Sequence, residues 1–149
     1  MEPALGIPTA HPSTLPHHTE LLLDDLTAAQ REAVLHEGGP LLIVAGAGTG
    51  KTTVITRRIA WLICTQRARP QELLALTFTE KAAREMEERV DLLVPYGYLD
   101  IAIRTFHAFG DQLVRDHALT AGLSPNFRVL SQAEQLVFLR QHLFDLPLE

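Results

Sequence analysis

The chain has one cysteine, no long apolar run and no excess of positive charge. A single cysteine, Cys64, rules out an internal disulfide and a cysteine-built metal cluster. Cys64 sits in an apolar helical pattern, which predicts a core residue. No apolar stretch is long enough to span a bilayer. Met1 to Pro16 is rich in proline and has no basic region leading into an apolar one, so no secretory signal is expected. The expectation is a cytoplasmic protein without a membrane partner. The net charge of −5 argues against a bulk polyanion binder. The charge is uneven, however: residues 47–110 carry nine bases against seven acids, while both flanks are acidic. Local contacts with nucleic acid are therefore permitted. No internal repeat is visible.

At 149 residues with 46% hydrophobic content, the chain is one domain or part of one. Residues 1–20 read as a disordered leader, because four prolines oppose regular structure. His11, His17 and His18 lack an acidic or cysteine partner at ligand spacing, which favours a solvated tail over a metal site. Thr27-Ala28-Ala29-Gln30 fits a capping box and predicts a helix from Ala28 to about Glu37, stopped by Gly38-Gly39. Residues 40–45 are expected to form a first strand. A helix is predicted from Lys51 to about Cys64, with Ile55, Ile59, Leu62 and Ile63 on its buried side. Residues 73–78 read as a second strand, apolar on both faces.

A helix from about Glu80 to Val94 follows, with Met86, Val90 and Leu93 as its core stripe. On its outer face Lys81 with Glu85, Arg84 with Glu88, and Glu85 with Arg89 have i,i+4 spacing. Pro95 to Tyr98 is a loop, and residues 101–103 a short third strand. A helix spans about Phe106 to Leu119, and residues 127–130 form an extended segment. Ser131-Gln132-Ala133-Glu134 is a second capping box and opens a last helix to about Leu143. Alternating strands and helices predict an α/β fold with a parallel sheet. Ligands of such folds sit at the carboxyl ends of the strands. Three clusters stand at those ends: Gly48 to Thr53, Thr77 to Ala83, and Arg104 to Phe109.

The first cluster has the clearest chemistry. Ala45-Gly46-Ala47-Gly48-Thr49-Gly50-Lys51-Thr52-Thr53 runs from a strand into a helix. Its glycines let the backbone turn a series of N–H groups into one concavity that suits phosphate. The helix N-terminus adds its own unpaired N–H groups and dipole. Lys51 supplies an ammonium for the β- and γ-phosphates, and Thr52 a hydroxyl for Mg²⁺. The general phosphate-loop pattern G-x-x-x-x-G-K-[ST] fails only at its first position, Ala45. A glycine-rich turn with no ligand would account for the glycines but not for Gly50-Lys51-Thr52 at a helix start. Nucleoside triphosphate binding is the expectation.

Four segments together resemble the UvrD/Rep family of superfamily 1 DNA helicases. Leu26 to Val34 resembles the family's Q motif, and Ala45 to Thr52 its own variant of the phosphate loop, which accepts alanine first. Thr77 to Ala83 resembles motif Ia, and Thr105-Phe106-His107 motif Ib. Order and spacing agree from about Leu26 to Leu143. The resemblance implies an incomplete RecA-like P-loop domain over residues 21–119 and the start of a helical inserted subdomain over 120–149. It implies ATP and Mg²⁺ as ligands and single-stranded DNA as partner. Gln30 would hydrogen-bond adenine, an amide matching N6 and N7; its other role is the reciprocal partner of the capping box. Phe78 would stack on a base; its other role is a core residue at a strand end. Thr77, Thr79, Thr105, Phe106 and His107 would line the DNA track, His107 being equally well read as a half-buried histidine. Lys81 and Arg84 are accounted for as solvated helix charges. Two departures stand out. Glu80 replaces the asparagine common in the family, so its carboxylate is expected to point away from the backbone phosphates or to contact a base. Thr53 replaces a common arginine, so that contact is lost or moved to Arg57 or Arg58.

ATP hydrolysis also needs a carboxylate pair on a neighbouring strand and arginines around the transferring phosphoryl group. After Thr52 no apolar strand ends in Asp-Glu; Asp24-Asp25 precedes the loop. The expectation is therefore a front segment of an ATP-dependent DNA helicase, not a complete motor alone, that needs the remainder of the helicase for activity. Three alternatives remain open: a non-enzymatic nucleotide- or DNA-binding regulatory module, the front of a helicase–nuclease subunit, and a small P-loop kinase. The kinase reading lacks arginine-rich lid residues.

Overall fold

The computed structural model describes residues 19–94 and 100–144. The expected leader, apart from its last two residues, and the Pro95 to Tyr98 loop lie outside them. Contacts divide the chain into two compact units, Met1–Phe109 and Gly110–Glu149.

In the first unit, helix α1 (Ala28–Leu35) starts at the predicted capping box. Thr27 Oγ1 accepts from the Gln30 N–H, and Gln30 Oε1 accepts from the Thr27 N–H at 2.9 Å. Helix α2 (Lys51–Cys64) follows the glycine loop. Strand β1 (Leu74–Thr77), helix α3 (Glu80–Asp91) and strand β2 (Ala102–Thr105) make one β-α-β crossover. β1 and β2 are parallel, pairing Leu74 with Ala102 and Thr77 with Thr105, in a two-stranded sheet. Helix α4 (Phe106–Asp116) begins directly where β2 ends. The arrangement is that of an incomplete α/β domain.

Two apolar clusters hold this unit. One joins Leu22 and Val34 to Val54, Ala60, Trp61 and Cys64 of α2. The other joins Ile59 and Ile63 of α2 to Met86 and Val90 of α3, packed against Ala75 and Ile103 of the strands. α2 therefore carries both clusters, on two faces. Each buried Leu, Val, Ile or Met among them contributes about 1.5–3 kcal/mol before the entropy of ordering is set against it. Burial also pushes the Cys64 thiol up, which suits an inert core residue.

The helical stripes differ in detail from their prediction. Ile55 is exposed, whereas Val54 and Trp61 are buried, because α2 meets α1 on a side that its own periodicity does not reveal. In α3, Met86 and Val90 are buried as expected, and the Lys81–Glu85 pair forms at 3.8 Å. Among the described residues Arg84 and Arg89 make no ion pair.

The largest correction concerns residues 40–45. They form no strand. Leu42 is 87% and Val44 90% exposed, and neither β1 nor β2 pairs with them. A strand needs a ladder to hold its N–H and C=O groups. The apolar run is present, but no described strand lies beside it. Residues 127–130, expected as an extended segment, are in neither a helix nor a strand.

In the second unit, Arg115 pairs with Asp111 at 2.8 Å and lies over the Phe127 ring. Helix α5 (Gln132–Gln141) starts at the second capping box. Glu134 accepts there from the Ser131 N–H and hydroxyl and from Arg128. These bonds hold its carboxyl down at about 2.

Candidate nucleotide and nucleic-acid site

Helix starts leave backbone N–H groups without intrahelical partners. Among the described residues, four helices meet this need with a hydroxyl. Thr27 caps α1, Thr79 caps α3, Thr105 caps α4 through the Ala108 N–H at 3.1 Å, and Ser131 caps α5. α2 is different. Its N-cap is Gly50, at φ +84° with no side-chain cap. The first N–H groups of α2 are thus left open at the end of a glycine loop, where the helix dipole is positive.

The loop is held by its own side chains. Thr49 Oγ1 donates to the Gly46 carbonyl at 2.8 Å. Lys51 Nζ folds back and donates to the carbonyls of Ala45 at 2.9 Å and Gly46 at 2.5 Å. Gly48 has φ +74°, and Ala47 is exposed beside it. Gly50 has a second constraint besides its φ: a Cβ there would lie 2.8 Å from Gln30 Nε2. Thr52, half-buried in the first turn of α2, makes no side-chain hydrogen bond among the described residues. Its hydroxyl is the hard oxygen donor that Mg²⁺ favours, the other positions falling to waters and phosphate oxygens. The residues present thus fit a Mg²⁺-bound triphosphate. The neighbouring Thr53 uses its carbonyl to accept from Thr56 Oγ1 at 3.1 Å.

Gln30 touches both α1 and the loop. Its Oε1 accepts from the Thr27 N–H, and its Nε2 donates to the Thr49 carbonyl at 3.0 Å. An amide side chain has two donors and two acceptor sites. One of each is therefore still available after the cap and the loop contact are made. The cap, the loop contact and a contact with a base use the same two amide atoms, but a base would take the second lone pair of Oε1 and the second hydrogen of Nε2.

Arg57 and Arg58, expected as stand-ins for an arginine at position 53, are committed elsewhere. Arg58 Nη1 donates to the carbonyls of Ala33, Val34 and His36 at 2.9–3.1 Å, closing the C-terminal end of α1. Arg57 Nη1 donates to the Leu21 carbonyl at 2.8 Å. Sequence reasoning missed this bracing role. The signal available was the absence of any capping residue in the last turn of α1.

A second group of predicted residues gathers at the carboxyl ends of β1 and β2. The Phe78 ring is 86% and the Phe106 ring 49% exposed, with centroids 5.2 Å apart and planes tilted by 38°. A phenylalanine so exposed is not a core residue. His107 and Thr79 are exposed, and Thr77 is half-buried at the end of β1. Thr105 is only 4% exposed; its hydroxyl donates to Glu80 Oε1 at 2.9 Å while capping α4. Glu80 thus reaches across the strand ends to Thr105. The glycine loop, by contrast, follows a segment that no described strand joins, so only two of the three predicted clusters share a sheet end.

Among the described residues no three metal-binding side chains cluster, and no helix is long and apolar enough to cross a membrane. Residues 26–148 match the UvrD/REP helicase N-terminal domain. The chain is 47% identical over 115 residues to the ATP-dependent DNA helicase PcrA of Bacillus subtilis, covering 77% of this chain and 16% of that relative. It is 51% identical over 110 residues to the ATP-dependent DNA helicase UvrD1 of Mycobacterium leprae, covering 72% and 14%. Against DNA helicase II of Escherichia coli it is 41% identical over 120 residues, covering 80% and 17%. The chain thus spans about a sixth of the length of these curated relatives. With the glycine loop, the capping-box glutamine and the aromatic strand ends all inside the matched stretch, the chain belongs to the UvrD/REP helicase family, through its N-terminal domain.

Proposed function

We propose that this chain is the ATP-binding and single-stranded-DNA-contacting front of an ATP-dependent DNA helicase. The observation that carries the reading is the uncapped start of α2 at Gly50, with the Lys51 ammonium already lodged against the loop carbonyls. A triphosphate entering there meets open N–H groups, a helix dipole and a mobile cation. Lys51 exchanges carbonyl partners for phosphate oxygens, a charge-assisted and stronger contact. Thr52 would hold Mg²⁺, which neutralises phosphate charge when bound. Gln30 reads the adenine edge with its remaining donor and acceptor.

The exposed Phe78 and Phe106 rings offer a stacking platform for unpaired bases, a sequence-tolerant contact. Thr77, Thr79 and His107 lie alongside to meet the sugar-phosphate backbone. Thr105 acts from beneath, by holding the start of α4 and thereby Phe106. Turnover and unwinding are assigned to the assembled helicase, since the described strands after Thr52 end in Thr77 and Thr105 and not in the Asp-Glu pair that hydrolysis needs.

Calorimetric titration with Mg-ATP tests the nucleotide half. The 149-residue chain is expected to bind ATP without multiple turnover, and Lys51→Ala to lose that binding. Equal affinity in Lys51→Ala would refute the site; sustained hydrolysis abolished by the same substitution would refute the assignment of turnover to the assembled protein.

A further inference from the structure

The capping box of α1 and the phosphate loop are joined by one unbroken series of hydrogen bonds. The Thr27 N–H donates to Gln30 Oε1 at 2.9 Å, and Gln30 Nε2 donates to the Thr49 carbonyl at 3.0 Å. Thr49 Oγ1 then donates to the Gly46 carbonyl at 2.8 Å, the carbonyl that also receives Lys51 Nζ. The series spans the loop from its helix end to its first glycine. Gly50 leaves room for this contact, because a Cβ there would meet Gln30 Nε2 at 2.8 Å.

We propose that Gln30 and Thr49 are positioning residues that brace the phosphate loop before any nucleotide arrives, so that Gln30 couples the base site to the triphosphate site. The proposal rests on the nucleotide reading above and deepens it. A loop held in its binding conformation loses less entropy when the phosphates dock. Because Gln30 contacts the loop with one amide hydrogen and has another left for a base, recognition at one end stiffens the other.

This differs from a glutamine that only reads adenine. A pure base contact has no influence on a ligand without a base. A brace does. Inorganic tripolyphosphate with Mg²⁺ is therefore the discriminating probe, alongside Mg-ATP, in calorimetric titrations of the 149-residue chain. Gln30→Ala is expected to weaken tripolyphosphate binding about fivefold, the loss of one net hydrogen bond, and ATP binding by more. Thr49→Val, which keeps shape and removes the hydroxyl, is expected to weaken tripolyphosphate to a similar degree. The double variant is expected to be no weaker than the poorer single one, because both act through one series of contacts. Thr27→Ala is the control: it removes the cap hydroxyl, lowers the melting temperature and leaves the Gln30–Thr49 contact, so tripolyphosphate affinity stays unchanged.

Amide hydrogen exchange across Gly46–Gly50 in the ligand-free chain gives a readout that needs no ligand. Faster exchange is expected in Gln30→Ala and Thr49→Val, and wild-type exchange in Thr27→Ala. Unchanged loop exchange in Gln30→Ala overturns the brace whatever the ligands do, as does unchanged tripolyphosphate affinity in that variant. Multiplicative losses in the double variant also overturn it. If the wild-type chain binds neither ligand, the nucleotide reading itself fails and the coupling with it. ATP binding that survives with no effect of Gln30 on tripolyphosphate removes the brace alone.

Discussion

The buried hydroxyl of Thr105 donates to the carboxylate of Glu80 at 2.9 Å, tying the N-terminus of α3 to the end of β2. Glu80 also stands in the first turn of α3, where the helix dipole favours an anion. The bond fixes two helix starts beside the exposed Phe78 and Phe106 rings, and it places one negative charge at the proposed DNA contact.

Glu80→Gln keeps an oxygen for Thr105 and removes the charge. Unfolding free energy is expected to change by less than about 1 kcal/mol. Affinity for a short oligothymidine is expected to rise about two- to fivefold at low salt, the gain shrinking as salt screens the site. Fluorescence anisotropy across a salt series reads both. A gain independent of salt would show that charge is not the cause.

Phe78→Ala removes an exposed ring, so stability should shift by no more than about 0.5 kcal/mol. Loss of stacking should weaken single-strand binding by about 1–3 kcal/mol. Anisotropy beside a urea titration separates the two effects. Unchanged single-strand affinity at low salt would remove Phe78 from the interface.

Arg58→Ala strips three carbonyls at the C-terminal end of α1, those of Ala33, Val34 and His36, of their partner at once. The expected loss is about 1.5–3 kcal/mol, as for hydrogen bonds to a charged group, seen as a lower urea midpoint. Arg57→Ala removes a single contact to the Leu21 carbonyl and is expected to cost less. Equal effects would mean that the multiple contacts of Arg58 do not act together.

Glu134 has a folded-state value of about 2, below its ordinary 4.5, because Ser131 and then Arg128 bond its carboxylate. A lowered value means that its contribution is complete above about pH 4.5 and fades as pH falls toward 2. Far-UV circular dichroism should show α5 helicity falling through that window. Glu134→Gln should remove that part of the pH dependence. Because the group is solvent-exposed, the change is expected to be small.

Local chemistry was legible in the chain. Both capping boxes, the α2 start at Lys51 and the crossover from β1 through α3 to β2 follow from signals a few residues long. The strand expected at 40–45 was not, because Leu41 to Val44 have strand-like composition whether or not a neighbour is present, and only a neighbour supplies a ladder. The buried side of α2 was misread at Ile55 for a related reason: a helix packed on two sides has no single stripe for periodicity to find.

The same division runs through the site. By itself the sequence determined which groups are present: a glycine loop before Lys51 and Thr52, an amide at Gln30, aromatic rings after the strands. Those are matters of composition and short spacing, and they also carry the family resemblance. Only the tertiary structure decided which of these groups are already engaged. It committed Arg57 and Arg58 to α1 and the residues before it, put the Thr105 hydroxyl out of reach beneath Glu80, and left Phe78 open. It also let Gln30 serve the cap and the loop together. The physical reason is that a hydrogen-bonding group has few partners at a time, and the choice among them depends on atoms distant in sequence that folding brings within about 3 Å.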